Sequence, residues 1–137
     1  MPAYNNQTPP PALGTSYPNN QCLVFNAEAV KSGEYSQQVS IPPSPTQGAY
    51  RGLRIILDFS AAPGTFEFDV LEDDIDTAGA AHYSAIPTGG VINAVNTGNA
   101  LQATLDLLPF QGQFFTLFCK TQPSNSGIKV TATVTRV

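Results

Sequence analysis

The chain contains no tryptophan, a single histidine, a single methionine and only six basic residues among its 137. One histidine excludes metal centres built from several imidazoles, and a Ser-His-acid triad has only His82 to serve as its base. Without Trp there is no Cys, Trp, Cys pattern of an antibody-type domain, and a sugar-stacking platform loses its best residue. Charge is scarce as well: 12% of residues are Asp, Glu, Lys or Arg, with a net charge of -4. Phosphate recognition requires clustered Lys and Arg, so nucleic acid is not an expected partner. No apolar run approaches the ~20 residues of a membrane span, so no membrane association is expected. The N-terminus lacks the basic start and apolar core of a secretory signal, and the expected place of synthesis is a cytoplasm.

What the chain does have is 42% hydrophobic residues in one domain's worth of sequence, with most of its polarity supplied by Asn, Gln, Ser, Thr, Gly and Pro. Such a chain can bury one core, and its weakly charged surface does little to repel other protein. Two cysteines, Cys22 and Cys119, each lie within an apolar run. A bridge between them requires their strands to be neighbours, and buried free thiols are the expected state of a cytoplasmic product.

Apolar and polar residues alternate with period two. In TFEFDVLED, Phe66, Phe68 and Val70 face one way while Glu67 and Asp69 face the other, and GIKVTATVTRV repeats the pattern with Ile128, Val130, Ala132 and Val134. This is the signature of half-buried strands, and Thr and Val suit a pleated surface. Further strands are predicted over 21–30, broken near Asn26, and over 35–41, 53–59, 82–86, 91–95, 100–107 and 114–121. They are separated by Gly- and Pro-bearing turns such as PPSPTQG, AAPG, PTGG and PSNSG. No stretch carries a capped 3.6-residue stripe. The predicted fold is all-β, an antiparallel two-sheet sandwich, and the strand count of about eight favours a jelly roll over an immunoglobulin-like domain.

Chemistry-bearing motifs are sparse. LEDDID places Asp73, Asp74 and Asp76 close enough to be a weak candidate for a hard cation such as Ca²⁺. Set against a helix-loop-helix calcium loop starting at Asp74, the match reaches Asp76 and Gly79 and fails at Ala78 and Ala85, so the expected state is a solvated loop without metal. His82 and Ser84 lie outside any G-x-S-x-G setting. PTGGVINAVNTGN lacks the Lys, the spacing and the helix of a phosphate loop. The carboxylate pairs Glu67 with Asp69 and Asp58 with Asp106 have no pattern that converges them in a cleft. Neither catalysis nor a cofactor is expected, and the six in-register phenylalanines 59, 66, 68, 114, 115 and 118 are assigned to packing.

Residues 1–20 differ from the remaining domain, 21–137. They hold five prolines and no charged side chain. Proline precludes helix and leaves an extended strap that spans some 65 Å at ~3.3 Å per residue. Tails that are merely soluble are normally charged, so an uncharged, proline-stiffened arm reads as a partner-binding element, with Tyr4, Pro9, Pro10, Pro11 and Tyr17 as its contact residues.

The Pro/Asn/Tyr arm, the turns PPSPTQG and NTGN and the terminal strand KVTATVTRV together resemble the small jelly-roll cement or decoration proteins that coat tailed-bacteriophage heads. The resemblance covers general organisation and includes no motif through which binding residues transfer. It implies a non-enzymatic virion protein on the capsid surface, bound to the major capsid protein, bridging and stabilising capsid subunits, and pairing with itself as a homodimer. The alternatives are another virion component, such as a head-fibre, tail or neck protein, and a carbohydrate-binding β-sandwich.

Overall fold

In the computed structural model the alternating segments become two sheets whose apolar faces meet, and the structure describes residues 11–13, 21–42, 52–73, 84–85, 90–93, 101–107 and 113–136. The strands in chain order are β1 (Gln21–Glu28), β2 (Val39–Ser40), β3 (Leu53–Phe59), β4 (Glu67–Asp73), β5 (Ser84–Ala85), β6 (Val91–Asn93), β7 (Gln102–Leu107), β8 (Phe114–Thr121) and β9 (Val130–Arg136). Among the described residues there is no helix.

One sheet has the order β1-β9-β3-β7 and the other β2-β8-β4-β5, with β6 also paired to β4. The antiparallel pairings nest: β1 with β9, β2 with β8, β3 with β7, and β4 with β5 and β6. That is one long hairpin ribbon, and rolling it up creates the remaining pairs, β3 with β9 and β4 with β8. A rolled hairpin divided between two sheets is the jelly roll the strand count favours. β5 and β6 form one interrupted edge: from Leu71↔Ala85 to Asp69↔Val91, β4 advances two residues while its partner advances six. Nine segments thus follow an eight-strand plan.

Besides a register shift of β4 against β8 between Glu67 and Phe68, two segments depart from regular pairing for local reasons. β1 shifts register between Leu23 and Phe25 and again before Glu28, with Ala27 at φ 51° and its N–H donating to Thr131 Oγ1 at 3.1 Å. The bulge sits where the break near Asn26 was expected, and it lets the consecutive Val24 and Phe25 both be buried. The predicted strand over 35–41 is shorter than expected. From Tyr35↔Phe118 to Val39↔Phe115 one side advances four residues and the other three. Across that bulge the Ser36 hydroxyl accepts the Leu117 N–H at 2.8 Å, so a side chain replaces part of the ladder.

The core lies between the sheets. Phe25 of β1 meets Phe68 of β4 edge-on at 6.3 Å, Phe68 meets Phe66 at 6.1 Å, and Phe66 meets Phe59 of β3 at 4.7 Å. These rings tie the two sheets together. Phe115 is also buried, whereas Phe114 and Phe118 are half-buried and Phe118 packs on Tyr35 at 4.7 Å.

Cys22 and Cys119 occupy different sheets, and both are free thiols. Burial, helped by the charge of Glu34, pushes the Cys119 thiol up from 9.0 to about 12. The unfolded chain releases this proton near its ordinary value while the folded chain keeps it, so the folded state binds more protons across that window. Stability is therefore expected to fall as pH rises from 9 towards 12, with the Cys119→Ala variant showing a shallower decline in urea titrations. At neutral pH, alkylation of Cys119 is expected to wait for unfolding.

Candidate functional site

Three connections are laced together at one end of the sandwich. Ser32 N–H donates to Gln122 Oε1 at 3.1 Å, and Gln122 N–H donates back to Ser32 Oγ at 2.9 Å. Ser124 and Thr65 make the same kind of reciprocal pair, with both bonds at 2.9 Å, and so do Ser60 and Lys129, at 3.0 and 2.9 Å. Asn125 adds bonds to the carbonyls of Ala62 and Pro63 at 2.9 and 3.2 Å. Short Ser and Asn side chains are suited to this work because they reach backbone groups from a turn. They fix the walls of a shallow groove of about 240 Å³ lined in part by Val30, Lys31, Pro123, Ser126 and Ile128. Among the described residues, Lys31 is the one ionisable side chain in its lining.

Gly64 belongs to this end at φ 76°, and a Cβ there would strike Ser124 Oγ. Gly64→Ala combines left-handed strain with the loss of a latch, and is expected to cost about 1–3 kcal/mol in urea unfolding.

Residues 11–13, within the stretch read as an arm, add to the outer edge of β2. Ala12 bridges Ser40 in parallel, Ser40 N–H donates to Pro11 O at 2.8 Å and Leu13 N–H to Ser40 O at 2.9 Å. Leu13 is fully buried in the core. Arg136, itself buried, donates from Nη2 to Pro42 O at 2.7 Å and to Leu13 O at 3.4 Å. Sequence reasoning assigned Pro11 to the strap and missed Leu13 and Arg136. The available signal was that Leu13 is the only Leu, Ile, Val or Phe in 1–20. Tyr4, Pro9, Pro10 and Tyr17 lie outside the described residues.

The candidates for a cation site lie mostly outside the described residues. Asp73 ends β4, Glu72 is half-buried beside it, and Asp74, Asp76 and His82 lie outside the described residues. Among the described residues no three His, Cys, Asp or Glu groups gather as metal ligands. Glu67 and Asp69 do share the outer face of β4. Glu67 pairs with Lys120 at 3.2 Å, and burial together with the neighbouring Glu67 charge holds the Asp69 carboxyl above its usual range. Asp58 and Asp106 stay apart on separate strands. Asp106 accepts from Arg54 through two bonds, at 2.7 and 3.1 Å, which lowers its carboxyl below the ordinary value, while Asp58 accepts from Gln102 at 2.9 Å.

The outer face of the β1-β9-β3-β7 sheet is ordered in rows by the strand registers. Gln21, Thr135, Arg54 and Asp106 form one row, and Leu23, Thr133, Ile56 and Thr104 form the next. Thr131, Asp58 and Gln102 form a third. An apolar and hydroxyl centre is thus flanked by rows that carry the charges. Leu23 is 51% exposed there.

These elements define an all-β jelly-roll domain. No protein-family model matches the chain, and no curated protein matches it in sequence. Solved structures weakly similar to it include a glycoside hydrolase family 43 arabinoxylan arabinofuranohydrolase from Bacillus subtilis, at 14% identity and a TM-score of 0.43. That match covers 93% of this chain and 23% of the other, so the chain spans about a quarter of that protein's length. They also include the coat protein dimer of Tobacco streak virus, at 12% identity and a TM-score of 0.32, covering 90% of each chain.

Proposed function

We propose that this is a non-enzymatic virion protein that binds the outer surface of a capsid, bridges neighbouring major capsid subunits as a cement or decoration subunit, and pairs with its own copy. The observation that carries the reading is the anchoring of residues 11–13 on the edge of β2. It supports the reading by holding the chain immediately after the uncharged segment 1–10, whose Tyr4, Pro9 and Pro10 are the proposed contacts with a neighbour. Support also comes from the fold, since jelly rolls tile viral shells, and from a surface with little charge to repel another protein. A shell offers many equivalent sites, so a subunit that makes two or three weak contacts binds through linkage rather than through one deep pocket.

Co-sedimentation with phage heads assembled without the protein tests this. The full chain is expected to bind saturably, and a chain beginning at Pro11, which keeps the Leu13 anchor, to bind at least tenfold more weakly. Equal binding by both would make the first ten residues passive and move the interface to the sheets and loops. No binding by either would overturn the reading.

A further inference from the structure

We propose that the outer face of the β1-β9-β3-β7 sheet is a two-fold self-docking surface, meeting a second copy of this chain about an axis that runs along the row Leu23, Thr133, Ile56, Thr104. The inference deepens the self-pairing part of the proposed function and is independent of capsid binding.

The argument rests on register. A two-fold contact is isologous, so if residue i touches residue j of the second copy, j touches i. On β3, Arg54 and Asp58 stand two residues to either side of Ile56 and point outward with it. Rotation about the central row leaves each strand over its own counterpart and exchanges the flanking rows. Arg54 then lies over Asp58 of the second copy, and Asp58 over Arg54 of the second copy. On β7 the same operation sets Asp106 over Gln102 of the second copy, a carboxylate over an amide donor, and on β9 it sets Thr135 over Thr131. On the axis, Leu23, Thr133, Ile56 and Thr104 meet themselves, joining apolar carbon and hydroxyl rather than charge.

The alternative axis, parallel to the strands between β9 and β3, sets Arg54 over Thr135 and Asp58 over Thr131. It would bury each charge against a hydroxyl, a poorer arrangement. Arg54 can serve both its own Asp106 and the second copy. A guanidinium has five N–H donors, and the internal pair uses Nε and Nη2.

Area allows a dimer of modest strength. Four strands at ~4.8 Å and five residues at ~3.4 Å cover roughly 19 by 17 Å, on the order of 500 Å² of accessible surface per copy, near the ~1,000 Å² total that a specific interface has to reach. Sheet twist makes the contact tightest at the two central strands, where Arg54, Ile56 and Asp58 sit, and aligned sheets tolerate a crossing of ~30°.

Sedimentation velocity from micromolar to millimolar protein provides the test, with circular dichroism confirming the fold of each variant. Wild type is expected to dimerise. Asp58→Arg alone sets its new guanidinium over Arg54 of the second copy, and the two-fold repeats that repulsion. Arg54→Asp alone sets its new carboxylate over Asp58 of the second copy, again twice. Each variant is therefore expected to raise the dimer Kd at least tenfold. In an equimolar mixture of the two, both contacts join a guanidinium to a carboxylate, and the mixture is expected to dimerise near the wild-type level. Should either variant fail to fold, Leu23→Lys brings two ammonium groups together on the axis and must weaken the dimer. A monomeric wild type, variants that dimerise normally, or a mixture that stays monomeric overturns the proposal. Head binding by monomeric Asp58→Arg, measured alongside, shows separately whether the capsid reading stands.

Discussion

Phe68→Ala is expected to lower the free energy of unfolding by about 3–5 kcal/mol, as read from urea titrations of the purified domain. Phe68 is fully buried on β4 and contacts Phe25 across the sandwich and Phe66 just before its own strand. Truncation removes the ring's transfer free energy and leaves a cavity that two edge-on neighbours, each held by its own backbone, cannot collapse to fill. Against a total stability of ~5–15 kcal/mol, such a loss takes a large fraction. Phe118→Ala is the control. Its ring is half-buried against Tyr35 on the outside of the same sheet, so its loss opens no closed cavity and must cost less. Equal losses at the two positions would show that Phe68 is not the ring on which the sheets close.

Leu13→Ala is expected to cost about 2–4 kcal/mol, although Leu13 belongs to a segment whose composition reads as a tail. Its side chain is fully buried with the core, and its backbone is held by Ser40 and Arg136. Deleting residues 1–10 is expected to change stability by less than about 0.5 kcal/mol, since the cut stops short of the anchor. The contrast separates the fold element at 11–13 from the residues before it, to which the proposed function assigns contact with a neighbour. If Leu13→Ala proved as mild as the deletion, the edge pairing would be incidental, and the observation that carries the proposed function would lose its weight.

Much of the architecture was legible because period-two alternation is a direct record of burial. Phe66, Phe68 and Val70, and then Val130, Ala132 and Val134, face the core as their spacing requires. The strands over 53–59 and 114–121 fall where apolar runs meet Gly and Pro turns. Legibility ended where a side chain took over a backbone bond. Nothing in Tyr35 to Ile41 announces that Ser36 will accept the Leu117 N–H, because that partner lies 81 residues away in the chain. The anchor was hidden for the same reason, since one leucine in a polar stretch says that something is buried without saying where. The laced end was visible only as Ser, Asn, Gly and Pro content. Composition marks a turn, while the reciprocal pairs of Ser32 with Gln122 and Ser60 with Lys129 depend on which turns the topology brings together.

The nesting of the strands also governs when a newly made chain can fold. β1 pairs with β9, matching Gln21 to Thr135, and β9 is the strand that fills the gap between β1 and β3. β9 therefore completes the sheet that β1 opens, and a chain halted before residue 130 leaves β1 without its neighbour among the described strands. Contacts this distant in sequence make for slow folding, on the millisecond-to-second scale of all-β sandwiches. Closure of the sandwich must then wait until β9 has left the ribosome, rather than proceed strand by strand during synthesis. A prematurely terminated product cannot present the finished surfaces, so reaching β9 becomes a condition of entry into any assembly the protein joins.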